Sequence, residues 1–192
     1  MEMTGKRIGF ALTGSFCTFA KVLPQVQALV EAGAQVFPIA SRAVAETDTR
    51  FGRAEDFLHA LADMTGREPL STLAQVEPIG PRRMLDLLIV APCTGNTLAK
   101  LAAGIADTPV TLACKAHLRN EGPLLLAPST NDGLGTAAKN IGALLGARSV
   151  FFVPFGQDDP RGKPRSLVAH MERIPEAAEA ALAGRQLQPV LL

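Results

Sequence analysis

The stretch Asp86-Leu-Leu-Ile-Val-Ala-Pro-Cys-Thr-Gly-Asn-Thr97 decides the fold class. Its first half is an unbroken apolar run, which is typical of a parallel strand covered by helices on both faces. Its second half ends the strand at Pro92 and places hydroxyl and amide side chains where a helix can begin. The stretch therefore predicts a buried strand, a polar turn and a helix, in that order.

The same succession recurs along the chain. The predicted strands are residues 6–12, 34–40, 70–76, 86–91, 122–127 and 150–153, and the predicted helices are residues 19–30, 53–65, 96–104, 109–118, 133–145 and about 166–182. Because parallel strands need helical crossovers, this alternation predicts a three-layer α/β/α, Rossmann-like, doubly wound parallel sheet of about six strands. We expect a single domain over residues 1–192, with its core at about 6–155 and a C-terminal loop, helix and tail at 156–192.

The composition limits the function classes. The chain has 192 residues, of which 47 % are hydrophobic and 19 % charged, enough apolar material for a packed core. Nineteen Lys and Arg residues against eighteen Asp and Glu residues leave a net charge of +1, so no nucleic-acid or membrane partner is expected. Cys17, Cys93 and Cys114 follow no metal-ligand spacing, and their odd number favours a reducing cytoplasm and no bound metal.

Ligands of doubly wound sheets bind beyond the carboxyl ends of the strands, so the residues after each predicted strand are candidates for a binding site. After the first strand, Gly14 permits a tight turn, Ser15 offers a hydroxyl, and Phe16 stands where the next helix begins. Free N–H groups and the positive end of the helix dipole make this turn a candidate phosphate site. A glycine turn with a helix cap is the alternative interpretation.

Three more strand ends carry polar side chains. Ser41 follows the second strand, where a helix cap is the alternative, and Ser129 follows the 122–127 strand. In the turn after Pro92, Asn96 carries an amide that can both donate to and accept from the edge of a heteroaromatic ring. We therefore predict one polar pocket, with the candidate binding residues Gly14, Ser15, Phe16, Ser41, Pro92, Thr94, Gly95, Asn96, Thr97 and Ser129.

One motif connects this pocket to a known family. Pro92-Cys-Thr-Gly-Asn-Thr-Leu-Ala-Lys-Leu-Ala-Ala-Gly-Ile-Ala-Asp107 resembles the Pro-Ala-Ser/Thr-Ala-Asn-Thr motif, with its following Lys-Ile-Ala-x-Gly-Ile-Ala-Asp, of the homo-oligomeric flavin-containing cysteine decarboxylase superfamily. Pro128-Ser-Thr-Asn131 loosely matches the superfamily's Pro-Ala-Met-Asn motif, and the likeness covers most of residues 6–155. The resemblance implies FMN at the ends of these strands, a six-stranded sheet of order 3-2-1-4-5-6, and a homo-oligomer.

The chain departs from the decarboxylases of that superfamily at two places. They carry a His shortly before the strand predicted at 86–91, whereas residues 76–81 contain none. They also carry a Cys after the last strand, whereas residues 155–164 contain none. Both departures count against cysteine decarboxylation, and a flavin-dependent decarboxylase or prenyltransferase is therefore the less favoured function.

A closer resemblance, to one branch of the superfamily, runs from end to end. It is carried by Lys6-Arg-Ile-Gly-Phe-Ala-Leu-Thr-Gly-Ser15, Thr47-Asp-Thr-Arg-Phe-Gly52, Ser129-Thr-Asn-Asp-Gly-Leu-Gly135, Pro154-Phe-Gly-Gln-Asp-Asp-Pro160 and Gln186-Leu-Gln-Pro-Val-Leu191. It implies one component of a two-component enzyme that makes pyridine-2,6-dicarboxylate in the mother-cell cytoplasm of a sporulating bacterium. The partner component is similar to pyridine-nucleotide dehydrogenases, so NAD(P) is expected only on that partner.

Two function classes remain open. The leading hypothesis is an oxidoreductase component, in which FMN accepts electrons while a small dicarboxylate substrate becomes aromatic. Asn131, by its motif match, and Lys163 and Arg165, with Arg161 in the same loop, are the candidate substrate-facing residues, although a solvated basic loop is the alternative for the cations. The other class is a non-catalytic scaffold for the partner. Apolar helix surface at 99–106 and 174–183 favours a homo-oligomer.

Overall fold

A computed structural model describes residues 3–192 as a mostly parallel sheet with helices on both faces. Met1 and Glu2, which belong to the predicted domain, lie outside the described residues. The strands are β1 (Arg7–Leu12), β2 (Gln35–Ala40), β3 (Leu87–Cys93), β4 (Leu124–Thr130), β5 (Val150–Phe152), β6 (Phe155–Gly156) and β7 (Leu167–Ala169). The α-helices are α1 (Phe19–Glu31), α2 (Arg42–Glu46), α3 (Ala54–Thr65), α4 (Leu73–Val76), α5 (Gly95–Ala102), α6 (Pro109–Leu118), α7 (Ala138–Leu145) and α8 (Ile174–Leu182).

The parallel part of the sheet confirms the predicted fold class. β1 pairs with β2 on one side and with β3 on the other, and β4 and β5 follow beyond β3. Outside β2, Leu70 adds a single parallel bridge to Ile39. Counting Leu70 as the third strand in chain order gives the arrangement 3-2-1-4-5-6.

The predicted strand at 70–76 is wrong beyond Leu70. Thr72 and Gln75 form a reciprocal capping box, in which the Thr72 hydroxyl accepts from the Gln75 N–H and the Gln75 side chain accepts from the Thr72 N–H. This cap satisfies the first donors of α4, so the chain turns into a short helix instead of extending the edge of the sheet.

An antiparallel hairpin enlarges the sheet to seven strands. β7 pairs with the end of β4, where Ser129 faces Val168, and β6 pairs with β7. The sequence predicts a helix over about 166–182, but α8 begins only at Ile174, and Pro175 lies in its first turn. A proline is tolerated in the first turn and disrupts a helix interior, so the residues before it are free to pair as a strand.

The predicted helix at 133–145 also starts late. α7 begins at Ala138, and residues 131–137 form turns. Gly133 permits a close approach of β7, because a Cβ on it would lie only 2.7 Å from side-chain atoms of Leu167. The Gly135 N–H donates to the Asp132 carbonyl and the Leu134 N–H to the Arg165 carbonyl, and these hydrogen bonds fix the turn after β4.

The core is centred on β3 and β4, in which every residue is buried. α1 and α8 pack over one face of the sheet, and α5, α6 and α7 pack over the other. The expected interaction surface at 174–183 is therefore wrong, because the alanines of α8 point into the core, with Ala178 and Ala181 only 0 % and 1 % exposed. At 99–106, by contrast, Ile105 is 47 % exposed.

Within residues 3–192, no helix is both long enough and apolar enough to cross a membrane. The same residues contain no group of three or more His, Cys, Asp or Glu side chains that could hold a metal ion. The three cysteines are free thiols, with Cys93 and Cys114 buried and Cys17 exposed.

Candidate functional site

The predicted strand-end loops meet at the carboxyl edge of the sheet. The Thr13 hydroxyl donates to the Pro92 carbonyl at 2.6 Å and accepts from the Thr94 N–H at 3.0 Å, which ties the end of β1 to the end of β3. The Ser15 and Ser129 hydroxyls form a 2.7 Å hydrogen bond, which joins the β1 loop to the end of β4 across the end of β3. Residues more than a hundred positions apart are thus brought into one polar cluster.

The turn after β1 has donor groups suited to an anion. The chain turns at Gly14 and Ser15 and then forms a 3-10 turn, Phe16–Thr18, which runs directly into α1. The first N–H groups of such a helical run have no acceptor within the helix and carry the positive end of its dipole. A Cβ on Gly14 would lie 3.4 Å from the Cβ of Ala43, so the first turn of α2 lies directly beside this loop.

Two of the predicted binding hydroxyls cap helices, as the alternative interpretation requires for Ser41. Ser41 accepts from the Val44 N–H at 3.4 Å at the start of α2. Thr94 accepts from the Thr97 N–H at 3.3 Å at the start of α5. The hydroxyl oxygens of Thr94 and Thr97 are 3.0 Å apart and share a hydrogen bond. Capping uses one lone pair of each cap oxygen, so both oxygens keep capacity for a further partner.

Asn96 and Gly95 differ in what surrounds them. Asn96 is exposed in the first turn of α5, and within the described residues its side chain makes no hydrogen bond. A Cβ on Gly95 would lie 2.7 Å from the Thr130 hydroxyl and 3.2 Å from an oxygen of Asp132. Gly95 therefore lets the end of β4 approach the start of α5, and Asn96 presents its amide to solvent at the carboxyl edge of the sheet.

Asp132 is a site residue that the sequence predictions omit. The Thr130 hydroxyl donates to Asp132 Oδ1 at 2.6 Å, which holds the carboxylate beside the start of α5. Asn131, predicted by motif, is exposed directly before it. The sequence does contain a signal for Asp132, because it is the only acidic residue in the strand-end turns 13–18, 41–43, 92–97 and 128–132.

The basic loop, residues 157–165, reaches the turn that follows β4. Lys163 Nζ lies 3.1 Å from Asp158 Oδ2, and this hydrogen bond, aided by charge attraction, raises the pKa of Lys163. The Arg165 carbonyl accepts from the Leu134 N–H at 3.0 Å, beside the turn that carries Asp132.

The three predicted cations therefore differ. The guanidinium of Arg165 is exposed and lies 3.6 Å from the position that a Cβ on Gly135 would take, so it lies beside the turn that follows β4. Lys163 is paired with Asp158 inside the loop itself. Arg161 is exposed and forms no ion pair in the part of the chain that the structure describes.

The donor set fits a flavin mononucleotide in its chemistry. Unpaired N–H groups and the hydroxyls of Ser15 and Ser41 suit a phosphate, and the free amide of Asn96 suits a polar ring edge.

Comparisons with known proteins identify the family of this chain. The sequence pattern of the flavoprotein family matches residues 1–166, and the chain belongs to that family. It is 46 % identical over 191 residues to the B subunit of dipicolinate synthase from Bacillus subtilis strain 168, a match that covers 100 % of this chain and 96 % of the relative. Within the flavoproteins, the chain accordingly belongs to the family of dipicolinate synthase B subunits.

Two solved structures illustrate the likeness. The B subunit of dipicolinate synthase from Bacillus halodurans superposes with a TM-score of 0.92 at 45 % identity, over 100 % of this chain and 98 % of that one. A dodecameric FMN-dependent Ubix-like decarboxylase from Escherichia coli O157:H7 superposes with a TM-score of 0.60 at 27 % identity, over 77 % of this chain and 79 % of that one.

Proposed function

We propose that this chain is the flavin-binding subunit of a dipicolinate synthase. Together with the A subunit of that enzyme, hereafter the partner subunit, it oxidises dihydrodipicolinate, or its hydroxytetrahydro precursor, to pyridine-2,6-dicarboxylate in the mother-cell cytoplasm during sporulation. The observation that carries this proposal is the convergence of four polar strand-end loops in a chain 46 % identical to a dipicolinate synthase component. A scaffold that only supports the partner would have no need for these converging donors.

We assign the FMN phosphate to the space near Gly14, Ser15 and Ser41, where N–H groups and hydroxyls meet beside the first turn of α2. We assign the edge of the ring to the turn Thr94, Gly95, Asn96 and Thr97, with Phe16, Pro92 and Ser129 completing the pocket. Bound FMN supplies a two-electron acceptor. The chain's own residues provide the binding, orientation and proton handling that the reaction requires.

The substrate carries two carboxylates, and the basic loop offers two cations for them. Lys163 is paired with Asp158 inside the loop, and the Arg165 guanidinium lies beside Gly135 in the turn that follows β4. A guanidinium binds a carboxylate in a bidentate manner, and an ammonium binds it as a point charge, so the two cations can fix a flat diacid in one orientation. The absence of a His at 76–81 and of a Cys at 155–164 argues against cysteine decarboxylation.

The experiment is an absorption spectrum of the purified chain with and without added FMN, followed by a titration. We expect one FMN per chain with micromolar or tighter affinity, and Ser15→Asp should weaken it by about 10- to 100-fold through repulsion of the phosphate. Ser71→Asp, which adds the same charge in the loop before α4, is the matched control, and circular dichroism checks the fold of both variants. A wild-type chain that never binds FMN would leave only the scaffold function.

A further inference from the structure

We propose that Asp132 is the catalytic base that removes a ring proton when the substrate becomes aromatic. The inference rests on the proposed function, since it assumes a dihydropyridine diacid in the pocket. It adds a residue that carries the proton transfer, which neither the motif match nor the basic loop supplies.

The position of Asp132 is defined by three contacts. Its Oδ1 accepts from the Thr130 hydroxyl at 2.6 Å, and the same oxygen lies 3.2 Å from the Cβ position of Gly95 in the first turn of α5. The Asp132 carbonyl accepts from the Gly135 N–H at 2.7 Å, which fixes the backbone. Within the described residues, no hydrogen bond occupies Oδ2, so one carboxylate oxygen is held in place and the other is free for a proton.

The other carboxylates near this edge are engaged elsewhere. Asp158 is paired with Lys163, and Asp159 accepts from the Gly162 N–H at 2.8 Å inside the basic loop. Glu46 is paired with Arg42 on the surface of α2. Asp158 and Glu46 each face a cation, which stabilises their charged form, and Asp159 is bonded to the backbone of its own loop and not to a strand-end turn.

The histidines do not compete for the role. His59 is exposed on α3, and the ring of His117 is buried on α6, where burial lowers its pKa and its Nε2 lies 3.0 Å from the Pro123 carbonyl. His170 lies after β7 with its Nδ1 3.2 Å from Glu172. The other titratable groups in the strand-end turns are the thiols of Cys17 and Cys93. Cys93 is buried, so the experiment must separate Asp132 from the exposed Cys17.

The chemistry needs such a base. One sp³ ring carbon loses a hydride equivalent to an oxidant of the flavin or nicotinamide class, and the neighbouring sp³ carbon loses a proton to Asp132. The electron pair of the second C–H bond becomes the new ring double bond, so two electrons and two hydrogens leave and the ring is aromatic. The carboxylate becomes a carboxylic acid, which then returns the proton to water.

The charge around Asp132 allows a dianion to bind close to it. The guanidinium of Arg165 lies over the same turn, and it can pair with one substrate carboxylate while Asp132 faces the ring. Asn131 adds amide donors on the exposed side of the turn. Removing the Asp132 charge should therefore weaken catalysis while it strengthens the binding of the product dianion.

The test compares Asp132→Asn with Cys17→Ala and with Asp63→Asn, the same chemical change on the exposed surface of α3. Asparagine keeps an oxygen that accepts from Thr130, so the fold should be retained, and thermal unfolding checks this. With FMN and the partner subunit present, Asp132→Asn should lower kcat by about 100-fold or more, the usual contribution of a general base, and should abolish the acidic limb of the pH–rate profile. FMN affinity should not fall, because the change removes a negative charge beside the proposed ring edge, and calorimetry should show pyridine-2,6-dicarboxylate binding more tightly.

Two results overturn the inference while leaving the proposed function intact. One is an Asp132→Asn variant that keeps more than half of the wild-type rate and its acidic limb. The other is a larger loss of rate and of that limb in Cys17→Ala, which assigns the proton to the thiol. A wild-type chain that binds no FMN, or adds nothing to turnover by the partner subunit, contradicts the proposed function itself, and the inference falls with it.

Discussion

Single atoms decide how closely the end of β4 approaches the start of α5. Gly95 has no Cβ, and the Thr130 hydroxyl occupies the space that a Cβ would need. The adjacent Asn96 is left exposed with an unpaired amide, because the helix cap is supplied by Thr94 and not by Asn96. At this scale, Gly95 and Thr94 shape the candidate site, whereas the side chain of Asn96 is available to contact a ligand.

Asn96→Asp tests the ligand-facing role. The substitution removes the amide donors and places a negative charge beside the flavin ring, so FMN affinity should fall by about 10- to 100-fold, the scale of a lost bidentate or charged hydrogen bond. Fluorescence titration of FMN measures the change. Asn140→Asp, which adds the same charge in the first turn of α7, is the matched control, and equal affinities for the two variants would refute the placement of the ring edge.

Gly95→Ala tests a residue that builds the pocket. The added methyl group would have to displace Thr130 or Asp132, so we expect the free energy of unfolding to fall by about 1–3 kcal/mol, the usual cost of overpacking. Urea unfolding measures it. Gly142→Ala, in the middle of α7 with open space around its Cβ position, is the control and should be neutral or stabilising.

At the scale of elements, one ion pair fastens the amino ends of two neighbouring strands. Arg7 at the start of β1 donates to both oxygens of Asp86, which precedes β3, at 2.6 Å and 3.3 Å. The Asp86 pKa is lowered chiefly by the side-chain hydrogen bond from Arg7, which outweighs the effect of burial. Because the folded-state pKa is depressed, the stabilisation exists above the unfolded pKa of about 3.9 and is lost as the pH falls through the folded value.

Asp86→Asn should lower the free energy of unfolding at pH 7 by about 1 kcal/mol, a discounted value because the pair is partly exposed. The variant should also lose less stability than the wild type when the pH is lowered below about 4, since the titrating carboxylate is absent. Urea unfolding at pH 7 and pH 3 measures both effects. Asp63→Asn is the control, and identical acid sensitivity of Asp86→Asn and wild type would contradict this account.

Elements whose signals are local could be predicted from the sequence, and elements that depend on distant partners could not. Local signals predict two strands, from the apolar runs at 86–91 and 122–127, and two helices, from the helical spacing at 53–65 and 109–118. An unbroken apolar run and a 3.6-residue spacing can each be recognised within one short segment. β7 depends on pairing with β4 across 39 positions, as in Val168 with Ser129, and no local signal marks it. Pro175, which lies in the first turn of α8, is the local signal that the last helix starts at Ile174 and not near residue 166.

The candidate site, like the fold, has features that the sequence predicts and features that depend on distant partners. The strand-end turns could be predicted, because a parallel sheet brings the carboxyl ends of its strands to one edge. The bond between Ser15 and Ser129, and the position of Asp132 against Gly95, depend on three-dimensional distances that spacing along the chain does not contain. The sequence also does not show that the guanidinium of Arg165 lies beside Gly135 in the turn that follows β4.

At the scale of the whole molecule, an apolar surface remains on the face of α5 and α6. A groove of about 590 Å³ lies there, lined by side chains that include Leu101, Ile105 and Leu112. The sequence predicts a homo-oligomer through the apolar residues at 99–106, and we propose a second copy of this chain as the occupant of this groove, where Ile105 is 47 % exposed. Burying such a surface between copies removes apolar area from water.

Ile105→Glu should therefore shift the chain from a homo-oligomer toward smaller species at micromolar concentration. A buried unpaired charge opposes association, and even about 1.4 kcal/mol of that penalty weakens assembly tenfold, so we expect assembly to be at least about tenfold weaker. Light scattering coupled to size-exclusion chromatography measures the mass. Leu145→Glu, on exposed α7, is the control, and a wild-type monomer would refute the oligomer outright.

The most direct test of the central claim is a comparison of the isolated partner subunit, this chain by itself with FMN, and the mixture. The sequence of this chain contains no dinucleotide fingerprint and no Cys-x-x-Cys, so a reduced flavin needs an acceptor from elsewhere. Formation of pyridine-2,6-dicarboxylate is followed by its ultraviolet absorbance, with oxygen excluded and then restored. We predict rapid product formation only in the mixture, and a rate for the isolated partner that equals the mixture would contradict a catalytic role for this chain.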